Sequence, residues 1–396
     1  MSKLNELIAE LCPDGVEYRK LGTFTECFSG ATPRKRKPEY WNDGTIPWMS
    51  SGEVHQHVVR HVEGRITQLG YDSCSTRMVP VGTVLVALAG QGKTRGTVAI
   101  TEMELCTNQS IGAIICSSLV DSKYLYYYLS GQYDYLRRIS SGEGTRGGLN
   151  MPLIRDLSIP VPPVEVQREI VRILDSFQGL DDALTAEIEA RKKQLCAVQE
   201  TLFDSLIGHA VPLGEHVRFI NGRAYKKDEL LSAGKYRVLR VGNFFSNDSW
   251  YFSDLELDAD KYCHKGDLLY AWSASFGPRI WHGEKTIFHY HIWKLDFDKE
   301  SLNRDYLLHF LDYDSRVIKS STSVTNSTMM HVSMAQMKKR LFPMPNIETQ
   351  EAVANSLNSI TSLVNALRSE RDARRKQFAY YRDKLLSFPE KVAVNG

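Results

Sequence analysis

The feature that most constrains the fold of this chain is a segment that occurs twice, 183 positions apart. Residues 159–177 read IPVPPVEVQREIVRILDSF and residues 342–360 read FPMPNIETQEAVANSLNSI, so both place the pattern P-x-P-x-x-E-x-Q before an apolar rhythm. With the same offset, residues 160–203 match residues 343–386 at fifteen of 44 positions. Internal similarity at a fixed period indicates duplicated structural units. We therefore expect a chain built from two related halves.

The similarity continues more weakly upstream of both segments. Three pairs of stretches parallel each other: RKLGTFTECFSG (19–30) and VPLGEHVRFING (211–222), VPVGTVLVAL (79–88) and CHKGDLLYAW (263–272), SKYLYYYL (122–129) and NRDYLLHFL (303–311). The second pair places a glycine before an apolar run that is typical of a buried strand. The sequence thus predicts a variable block and a helix, followed by a second variable block and a second helix.

Each repeated segment is expected to open a long helix. Glu165 and Glu348 place a negative charge near the helix N-terminus, where the helix dipole favours it. From Ile170 and Val353 onward, apolar residues recur with alternating spacings of four and three, which is typical of a coiled-coil seam. Each helix would span about 40 residues, roughly 60 Å. We expect the two helices to pair, antiparallel, although each could instead pack only on its own domain.

The predicted seam comprises sixteen apolar positions. These are Ile170, Leu174, Phe177, Leu184, Ile188, Leu195, Val198, Leu202, Val353, Leu357, Ile360, Val364, Leu367, Phe378, Tyr381 and Leu385. The fold class is therefore α+β, with two similar globular α/β domains separated by two long helices that form an antiparallel coiled coil. The predicted parts are residues 1–158, a first domain with an N-terminal helix; 159–208, the first helix; 209–341, the second domain; and 342–396, the second helix and tail.

Composition sets the class of protein. The length of 396 residues suits two or more domains, and 42% hydrophobic with 24% charged residues is typical of a globular chain. The net charge of +2 means that any nucleic-acid surface must be local. The seven cysteines are scattered without a C-x-x-C pair, and neither a signal peptide nor a membrane span is expected. We expect a cytoplasmic protein.

Basic, polar and planar side chains collect in the loops of both variable blocks. Lys and Arg beside flexible Gly and Ser suit contact with phosphates, and a few Arg, Asn or Ser side chains could reach base edges. Any one such loop could also be ordinary solvated surface, but corresponding loops share this character. The candidate DNA-contacting residues are Arg34, Lys35, Arg36, Lys93, Thr94, Arg95 and Arg146 in the first block, and Arg223, Tyr225, Lys226, Lys227, Ser273, Arg279, Asn326 and His331 in the second.

Other motifs were weighed against this interpretation. AGQGKT (89–94) resembles part of a phosphate-binding loop, but Ala87 stands where the first glycine is needed and a strand, not a helix, is expected to follow. His55, His57 and His61 lack partners for a convincing metal site. His289 and His291 are predicted to share one face of a strand, and residues 124–139 are predicted to be helical.

Motifs for amino methylation, hydrolysis or metal catalysis are missing from the sequence. A non-enzyme is therefore the favoured class. A DNA methyltransferase or nuclease with a divergent catalytic site remains the alternative, and a coiled-coil adaptor that binds only protein is a third class. Binding of S-adenosylmethionine by the isolated chain would favour the enzyme.

The chain resembles the specificity subunit of type I restriction–modification systems. The resemblance covers nearly the whole chain and is carried by LIAELCPDGVEYRKLG (7–22), SGATPRKRKPEYWNDGTIPWMSSGEV (29–54), LNMPLIRDLSIPVPPVEVQREIVRILD (149–175) and VSMAQMKKRLFPMPNIETQEAV (332–353). It implies two target recognition domains that each read half of a bipartite, asymmetric DNA site. It also implies that a coiled coil spaces them. The second block departs from the pattern, because its opening lacks the Thr-Pro of SGATP.

The resemblance also implies partners. Two modification subunits, which use S-adenosylmethionine to methylate adenine, would dock on the helices and adjoining segments. Restriction subunits, which use ATP and Mg, would join the same complex. The chain itself would have no catalytic residues, no metal and no cofactor of its own, and it would bind double-stranded DNA.

Overall fold

A computed structural model describes residues 3–90, 92–140, 148–245, 247–273, 276–322 and 332–391. Contacts divide the chain into two compact units. Met1–Ala183 with Glu370–Gly396 form the first unit, and Leu184–Ser369 form the second unit. The boundary falls inside both long helices, so each helix contributes one part to each unit. The four-part division expected from the sequence stays a prediction.

The first unit begins with a helix and continues as a mixture of short strands and helices. Its elements are α1 (Lys3–Leu11), β1 (Tyr18–Lys20), β2 (Thr25–Ser29), β3 (Ile46–Met49), β4 (Val58–Val59), β5 (Arg65–Ile66), α2 (Gln68–Asp72), β6 (Met78–Val79), β7 (Val84–Ala87), β8 (Val98–Thr101), β9 (Leu105–Thr107), β10 (Ile111–Cys116), α3 (Ser122–Gly131), α4 (Tyr133–Ile139), α5 (Met151–Arg155), β11 (Ser158–Pro160) and the first part of α6 (Val164–Ser205). After the second long helix, the chain returns to this unit, and Lys391 donates its backbone N–H to the Val16 carbonyl (2.9 Å).

The second unit repeats this order of elements. They are the rest of α6, β12 (Ala210–Pro212), α7 (Leu213–His216), β13 (Arg218–Asn221), β14 (Tyr236–Leu239), α8 (Val241–Phe245), β15 (Tyr251–Ser253), β16 (Tyr262–Cys263), β17 (Leu268–Ala271), β18 (Gly277–Ile280), β19 (Thr286–Phe288), β20 (Ile292–Asp296), α9 (Arg304–Thr322), α10 (Met334–Lys339), β21 (Leu341–Pro343) and the first part of α11 (Ile347–Leu385), whose later part belongs to the first unit.

The sheets of the two units share one topology, to which the first unit adds the edge strand β4. The first unit has sheets β2-β10-β7-β8-β4 and β5-β3-β9-β6 with the ribbon β1-β11, and the second has β13-β20-β17-β18 and β15-β14-β19-β16 with the ribbon β12-β21. The pairs β3–β9 and β14–β19 are parallel in each case. The three upstream parallels predicted from sequence are therefore confirmed, since they fall on β1–β2 and β12–β13, on β7 and β17, and on α3 and α9.

The apolar strands form the cores. All four residues of β7 are buried, and alternate side chains enter different clusters. Val84 and Val86 pack with α3 and α6 in one cluster, whereas Leu85 and Ala87 pack with β8 and β10 in another. This two-sided burial follows from the period of two along a strand. Full burial of such a side chain is worth about 1.5–3 kcal/mol, so the uninterrupted run VLVA anchors the strand at the centre of its sheet.

The repeated glutamine explains the repeated motif. Gln167 is fully buried. Its amide donates to the carbonyl oxygens of Leu119 (2.9 Å) and Pro162 (2.7 Å), and its oxygen accepts from the backbone N–H of Asp121 (2.8 Å). The Asp121 carboxylate in turn caps the N-terminus of α3. One side chain thus connects the start of α6 to the start of α3.

Gln350 makes the same connection in the second unit. It is fully buried, and its amide donates to the carbonyl oxygens of Ser301 (3.1 Å) and Pro345 (2.9 Å). Its oxygen accepts from the backbone N–H of Asn303 (2.9 Å), whose side chain accepts from the first turn of α9. The P-x-P-x-x-E-x-Q pattern is therefore a junction that joins a globular fold to a long helix.

The recurring Tyr-Leu pair belongs to the same junction. Tyr124 and Tyr306 are both fully buried. Their hydroxyls donate to the carbonyl oxygens of Pro160 (3.1 Å) and Pro343 (2.9 Å), the first prolines of the two motifs. Because a buried hydroxyl without a partner is costly, these bonds hold each tyrosine hydroxyl at the junction.

The two long helices pack antiparallel, as predicted. In the first unit, the Phe177 ring contacts the Phe378 and Tyr381 rings, with centroids 6.3 and 5.7 Å apart. One turn later on α6, Asp181 accepts two hydrogen bonds from Arg375 (2.6 and 2.8 Å). Residue numbers thus rise along one helix and fall along the other. In the second unit, the later part of α6 and the start of α11 share one apolar cluster.

The seam positions are buried or half-buried, apart from Tyr381, which is 36% exposed. At the start of α6, however, Ile170 and Leu174 belong to the core of the first unit, together with side chains of α1 and α3. At the start of α11, Val353 and Leu357 belong likewise to the core of the second unit. The same apolar rhythm therefore serves both interpretations of the sequence, because its first turns also pack on a domain and its later turns face the partner helix.

One predicted helix is divided. Residues 124–139 form two helices, α3 and α4, with Gln132 between them in a non-helical conformation. The preceding residue is Gly131, whose backbone freedom weakens a helix. In the second unit the equivalent α9 runs for 19 residues without a break.

Candidate nucleic-acid interface

The first basic loop follows β2 and is anchored at its start. A Cβ on Gly30 would lie 1.9 Å from the Thr107 carbonyl oxygen, so only glycine permits this close approach. The next residue, Ala31, donates its N–H to Thr107 (3.0 Å) and accepts from the Trp48 indole (3.0 Å). Past this anchor the chain turns outward, which places the basic run on the surface.

The three cations of this run are available for contact. Arg34, Lys35 and Arg36 are exposed, and within the described part of the chain their side chains have neither an ion pair nor a hydrogen bond. Lys37 differs, because its ammonium donates to the Tyr40 hydroxyl (3.1 Å) and lies 3.6 Å from Glu39. The hydrogen bond to Tyr40 raises the pKa of Lys37. Three of the four consecutive cations therefore keep an uncompensated charge.

The second basic loop is the tip of the β7–β8 hairpin. Lys93 is exposed, and the Thr94 hydroxyl lies 3.1 Å from the His55 imidazole. Arg95 is only 8% exposed, so its side chain is buried. Because β7 and β8 are antiparallel neighbours, no helix follows the Gly-Lys-Thr stretch. The sequence prediction that this stretch is not a nucleotide-binding loop agrees with this geometry.

Three predicted residues lie outside the described residues. These are Arg146, Asn326 and His331. The loops that carry them end at equivalent places: Leu149 donates its N–H to the Leu88 carbonyl (2.9 Å), and Val332 donates to the Trp272 carbonyl (3.2 Å). Their correspondence, proposed from sequence, therefore holds for the residues that follow both loops.

In the second unit, the loop after β13 is anchored like its counterpart. A Cβ on Gly222 would lie 2.3 Å from the Phe288 carbonyl oxygen, and Arg223 donates its N–H to the same oxygen (3.0 Å). The equivalence of Gly30 and Gly222 shows that the two basic loops leave their sheets at the same point. This holds although the second loop lacks the Thr-Pro of the first.

Arg223 is held within its own loop. Its guanidinium donates two hydrogen bonds to Glu229 (2.9 and 2.8 Å) and lies 5.4 Å from the Tyr225 ring centre. The hydrogen bonds to Glu229 raise the pKa of Arg223, and the same contact lowers the pKa of Glu229. Lys226 and Lys227 are exposed. The two lysines therefore keep their charges exposed, whereas Arg223 is fixed in one orientation.

An aromatic cluster lies beside this loop and was not foreseen. Its members are Trp272, His289, Tyr290 and His291, with ring centroids between 3.9 and 6.0 Å apart in the pairs that touch. The two histidines lie on the turn from β19 to β20, not on a strand, so the predicted strand alternation is wrong. The turn forms because Ile292 donates its N–H back to the His289 carbonyl (2.9 Å).

Burial and nearby charges shift the pKa values of side chains in and beside this cluster. Burial, then His291 and Arg240, lower the pKa of His289 to about 4. Tyr225 stacks 6.3 Å from His289, and burial raises the pKa of its hydroxyl. Ser273, next to Trp272, is 6% exposed, which leaves its predicted DNA contact a prediction. The sequence signal that could have revealed the cluster is the dense run FHYHIW, residues 288–293.

Exposed arginines stack on rings nearby. Arg279, which the sequence predicted, lies 5.2 Å from the Phe245 ring. Arg237 lies 5.5 Å from Trp250 and Arg240 lies 5.1 Å from Tyr251, and neither was predicted. Among the described residues, these three arginines form no ion pair. A guanidinium placed over a ring keeps its charge and its donors, so it can reach a phosphate or a base edge.

The two units therefore present different chemistry on one framework. The first offers flexible lysines and arginines, and the second offers arginines among aromatic rings and histidines. Within the described residues, no group of three His, Cys, Asp or Glu side chains is arranged to hold a metal ion. Likewise, no helix of that part of the chain is both long and apolar enough to pass through a membrane.

Comparison with known proteins gives the same picture. The family model for the type I restriction modification DNA specificity domain matches residues 13–193 and 210–374. The Escherichia coli EcoR124I/EcoR124II specificity subunit is 29% identical over 195 residues, 48% of each chain. The Methanocaldococcus jannaschii MjaIX specificity subunit is 32% identical over 187 residues, 46% of this chain and 40% of that one. The match thus spans about half the length of these two relatives. The MjaVIII specificity subunit of the same archaeon is 20% identical over 393 residues, 91% of this chain and 89% of its own.

Two solved structures share the fold. The S subunit of a type I restriction-modification system from M. genitalium superposes with a TM-score of 0.54 at 16% identity, over 94% of this chain and 96% of that one. A chain from a study of complex assembly and conformational transition of the type I R-M system superposes with a TM-score of 0.58 at 14% identity, over 94% and 98%. With the family model matching both halves, the chain belongs to the family of type I restriction–modification DNA specificity subunits.

Proposed function

We propose that this chain is the DNA-recognition subunit of a type I restriction–modification complex, and that each unit reads one half of a bipartite, asymmetric site. The observation that carries the proposal is one topology present twice with different loop chemistry. Equivalent loops leave equivalent strands beside Gly30 and Gly222, so both would meet DNA with the same framework. Since the exposed side chains differ, the two half-sites should differ in sequence.

Contacts to DNA would come from the loops in two ways. Arg34, Lys35, Arg36 and Lys93 would attract phosphates of the first half-site, since they are exposed and form no ion pair with any residue that the structure describes. In the second half-site, Lys226 and Lys227 would do the same. Base edges would be read by oriented groups, of which Thr94 and the locked Arg223 are the described examples.

The long helices would set the distance between the half-sites. Helix α6 has 42 residues without a break and α11 has 39. At about 1.5 Å per residue, each is roughly 60 Å long. A stiff element of fixed length suits a fixed unread gap between two recognised sequences.

Each helix also carries an exposed stripe that recurs in the other. Six of the identical pairs of α6 and α11, all exposed or half-buried, form this stripe: Ser176 and Ser359, Leu180 and Leu363, Ala183 and Ala366, Glu187 and Glu370, Ala190 and Ala373, Gln194 and Gln377. Leu180 is 40% exposed and Leu363 is 44% exposed. Packing within the chain does not require identity at such positions. We propose that the two stripes bind two copies of one partner, the modification subunit.

That partner would supply the chemistry. The modification subunits would use S-adenosylmethionine to methylate adenine, and restriction subunits would add ATP- and Mg-dependent steps. This chain would contribute recognition and spacing but no catalytic residue and no cofactor. Binding of S-adenosylmethionine by the purified chain alone would instead favour the alternative, a methyltransferase with a divergent site.

The direct test is methylome sequencing of cells that express this chain with its modification subunit. We expect methylated adenines in one interrupted motif with two unlike halves and a gap of constant length. Cells that express only the modification subunit are the control and should lack the motif. A continuous motif, or a palindromic one, would contradict the proposal.

A further inference from the structure

The tip of the β7–β8 hairpin is held from outside the hairpin. Arg137 of α4 donates to the carbonyl oxygens of Gly92 (2.8 Å) and Arg95 (3.4 Å). The Tyr133 hydroxyl, also on α4, donates to the Lys93 carbonyl (2.9 Å) and accepts from Arg137 (3.3 Å). Three carbonyls of one short loop are therefore fixed by two side chains of one helix.

The loop depends on these contacts for its shape. Gly90 and Gly92 have φ values of +139° and +64°, and a Cβ on Gly92 would meet nothing within 4 Å. Such a tip has many accessible conformations. The strands below the tip are paired without help from α4. Ala87 donates its N–H to the Thr97 carbonyl, and Gly96 donates its N–H to the Ala87 carbonyl (2.9 Å each). Loss of the α4 contacts would thus free the tip without separating the strands.

The second unit has a cation at the equivalent place. Arg137 and Lys319 each lie fifteen positions after the first residue of the helical segment (122 to 137 and 304 to 319). The Lys319 ammonium lies 4.8 Å from the centre of the Phe276 ring, which belongs to the β17–β18 loop. Phe276 is 2% exposed. A helix cation therefore contacts the equivalent hairpin loop in both units, by hydrogen bonds in one and over a ring in the other.

We infer that Arg137 and Lys319 are positioning residues that fix the DNA-reading shape of the two hairpin loops. The inference rests on the proposed function. These residues would affect DNA recognition by positioning the loops and would not contact DNA themselves. Arg137 sets where Lys93 and Thr94 stand, and Lys319 sets the loop beside Trp272. The specificity for each half-site should then depend on a helix residue that acts by holding the hairpin loop in place.

The test is the methylome of the complete complex with Arg137→Ala in the full chain. We expect methylation at sites altered in the first half to rise about tenfold relative to the intact site, the size of one charged hydrogen bond. Selectivity in the second half should stay at the wild-type level. Arg138→Ala is the matched control, since the neighbouring Arg138 is exposed and stacks on Tyr135 (5.7 Å) without touching the loop.

Tyr133→Phe and Lys319→Ala extend the test. The first removes the bonds of the Tyr133 hydroxyl to Lys93 and Arg137 but leaves the bonds of Arg137 to the Gly92 and Arg95 carbonyls, so it should relax the first half-site less than Arg137→Ala. It keeps the inference testable if Arg137→Ala folds poorly. The second should relax only the second half-site. Equal loss of methylation at all sites would mean a phosphate contact or a general fold defect and would overturn the inference. A wild-type complex with no two-part motif would overturn the proposed function itself, and the inference with it.

Discussion

Gln167 and Gln350 show how one residue type explains a repeated pattern. Each is fully buried, and each satisfies two carbonyls and one N–H that would otherwise lack partners. A buried polar side chain is stable only when such bonds are complete. The residues that it binds lie at the start of a second helix, so the glutamine fixes two helix starts together.

Gln167→Ala should destabilise the first unit by about 1–3 kcal/mol, because it removes a buried side chain and leaves three backbone groups at the junction without its hydrogen bonds. Urea unfolding of the full chain measures this free energy. Gln194→Ala is the control, since Gln194 lies exposed on the same helix and accepts only from Arg191 (2.8 Å). Equal losses in the two variants would show that the buried hydrogen bonds do not stabilise the junction.

His289 gives the second unit a predicted pH dependence. Its pKa is lowered to about 4 by burial, His291 and Arg240, whereas an ordinary histidine titrates near 6.5. Between these values, the unfolded chain binds a proton at this position that the folded chain does not bind. The free energy of unfolding should therefore fall as the pH falls from about 6.5 toward 4, with no contribution from this group above that window.

The variant His289→Gln removes the titrating group. The decrease in unfolding free energy between pH 7 and pH 5 should be smaller in this variant than in the wild type. Urea titrations followed by the fluorescence of the neighbouring tryptophans measure both values. An identical decrease in the two proteins would show that His289 is protonated equally in the folded and unfolded chains.

At the scale of elements, the paired helices have a length that can be changed and tested. In the first unit, Asp181 and Arg375 form a two-fold hydrogen-bonded ion pair beside the Phe177 ring cluster. Asp181 is 18% exposed and Arg375 is 54% exposed, so the pair has modest energy and mainly favours one register. With a fixed register, the pair of helices would have a constant length.

Inserting seven residues in each helix should lengthen the pair of helices. The natural positions are between residues 183 and 184 and between residues 369 and 370, where contacts divide the units. Seven residues add about 10.5 Å, close to three base pairs at 3.4 Å each. Methylome sequencing should reveal the same two half-sites with a longer gap.

An insertion in one helix alone is the control. It breaks the pairing register and should abolish methylation of both the original and the lengthened site. A double insertion that leaves the gap unchanged would show that the helices do not set the spacing.

The elements differ in how far sequence could predict them. The helices were predictable because the four-three rhythm and the internal repeat both report on packing. The break at Gln132 was missed, although Gly131 beside it weakens a helix. The backbone of Arg95 and the turn at His289 make contacts with α4 and with β13–β14, respectively, which are distant in sequence. Loop chemistry was therefore predictable in composition but not in orientation.

At the scale of the whole molecule, two units share one topology and differ in surface. The first carries exposed cations without partners, and the second carries a cluster of rings and histidines. Duplication explains the shared topology, and divergence of the loops explains the difference. A recognition protein built this way should read two unlike sequences, and each should be transferable on its own.

Exchange of residues 21–157 for the equivalent domain of another family member tests this account most directly. Both ends of the exchange directly adjoin the β1–β11 ribbon, so the ribbon and the long helices are retained. Methylome sequencing of cells with this chimera and the modification subunit should show a new first half-site, with the second half-site and the gap unchanged. A change in both half-sites would contradict the claim that the two units read DNA independently.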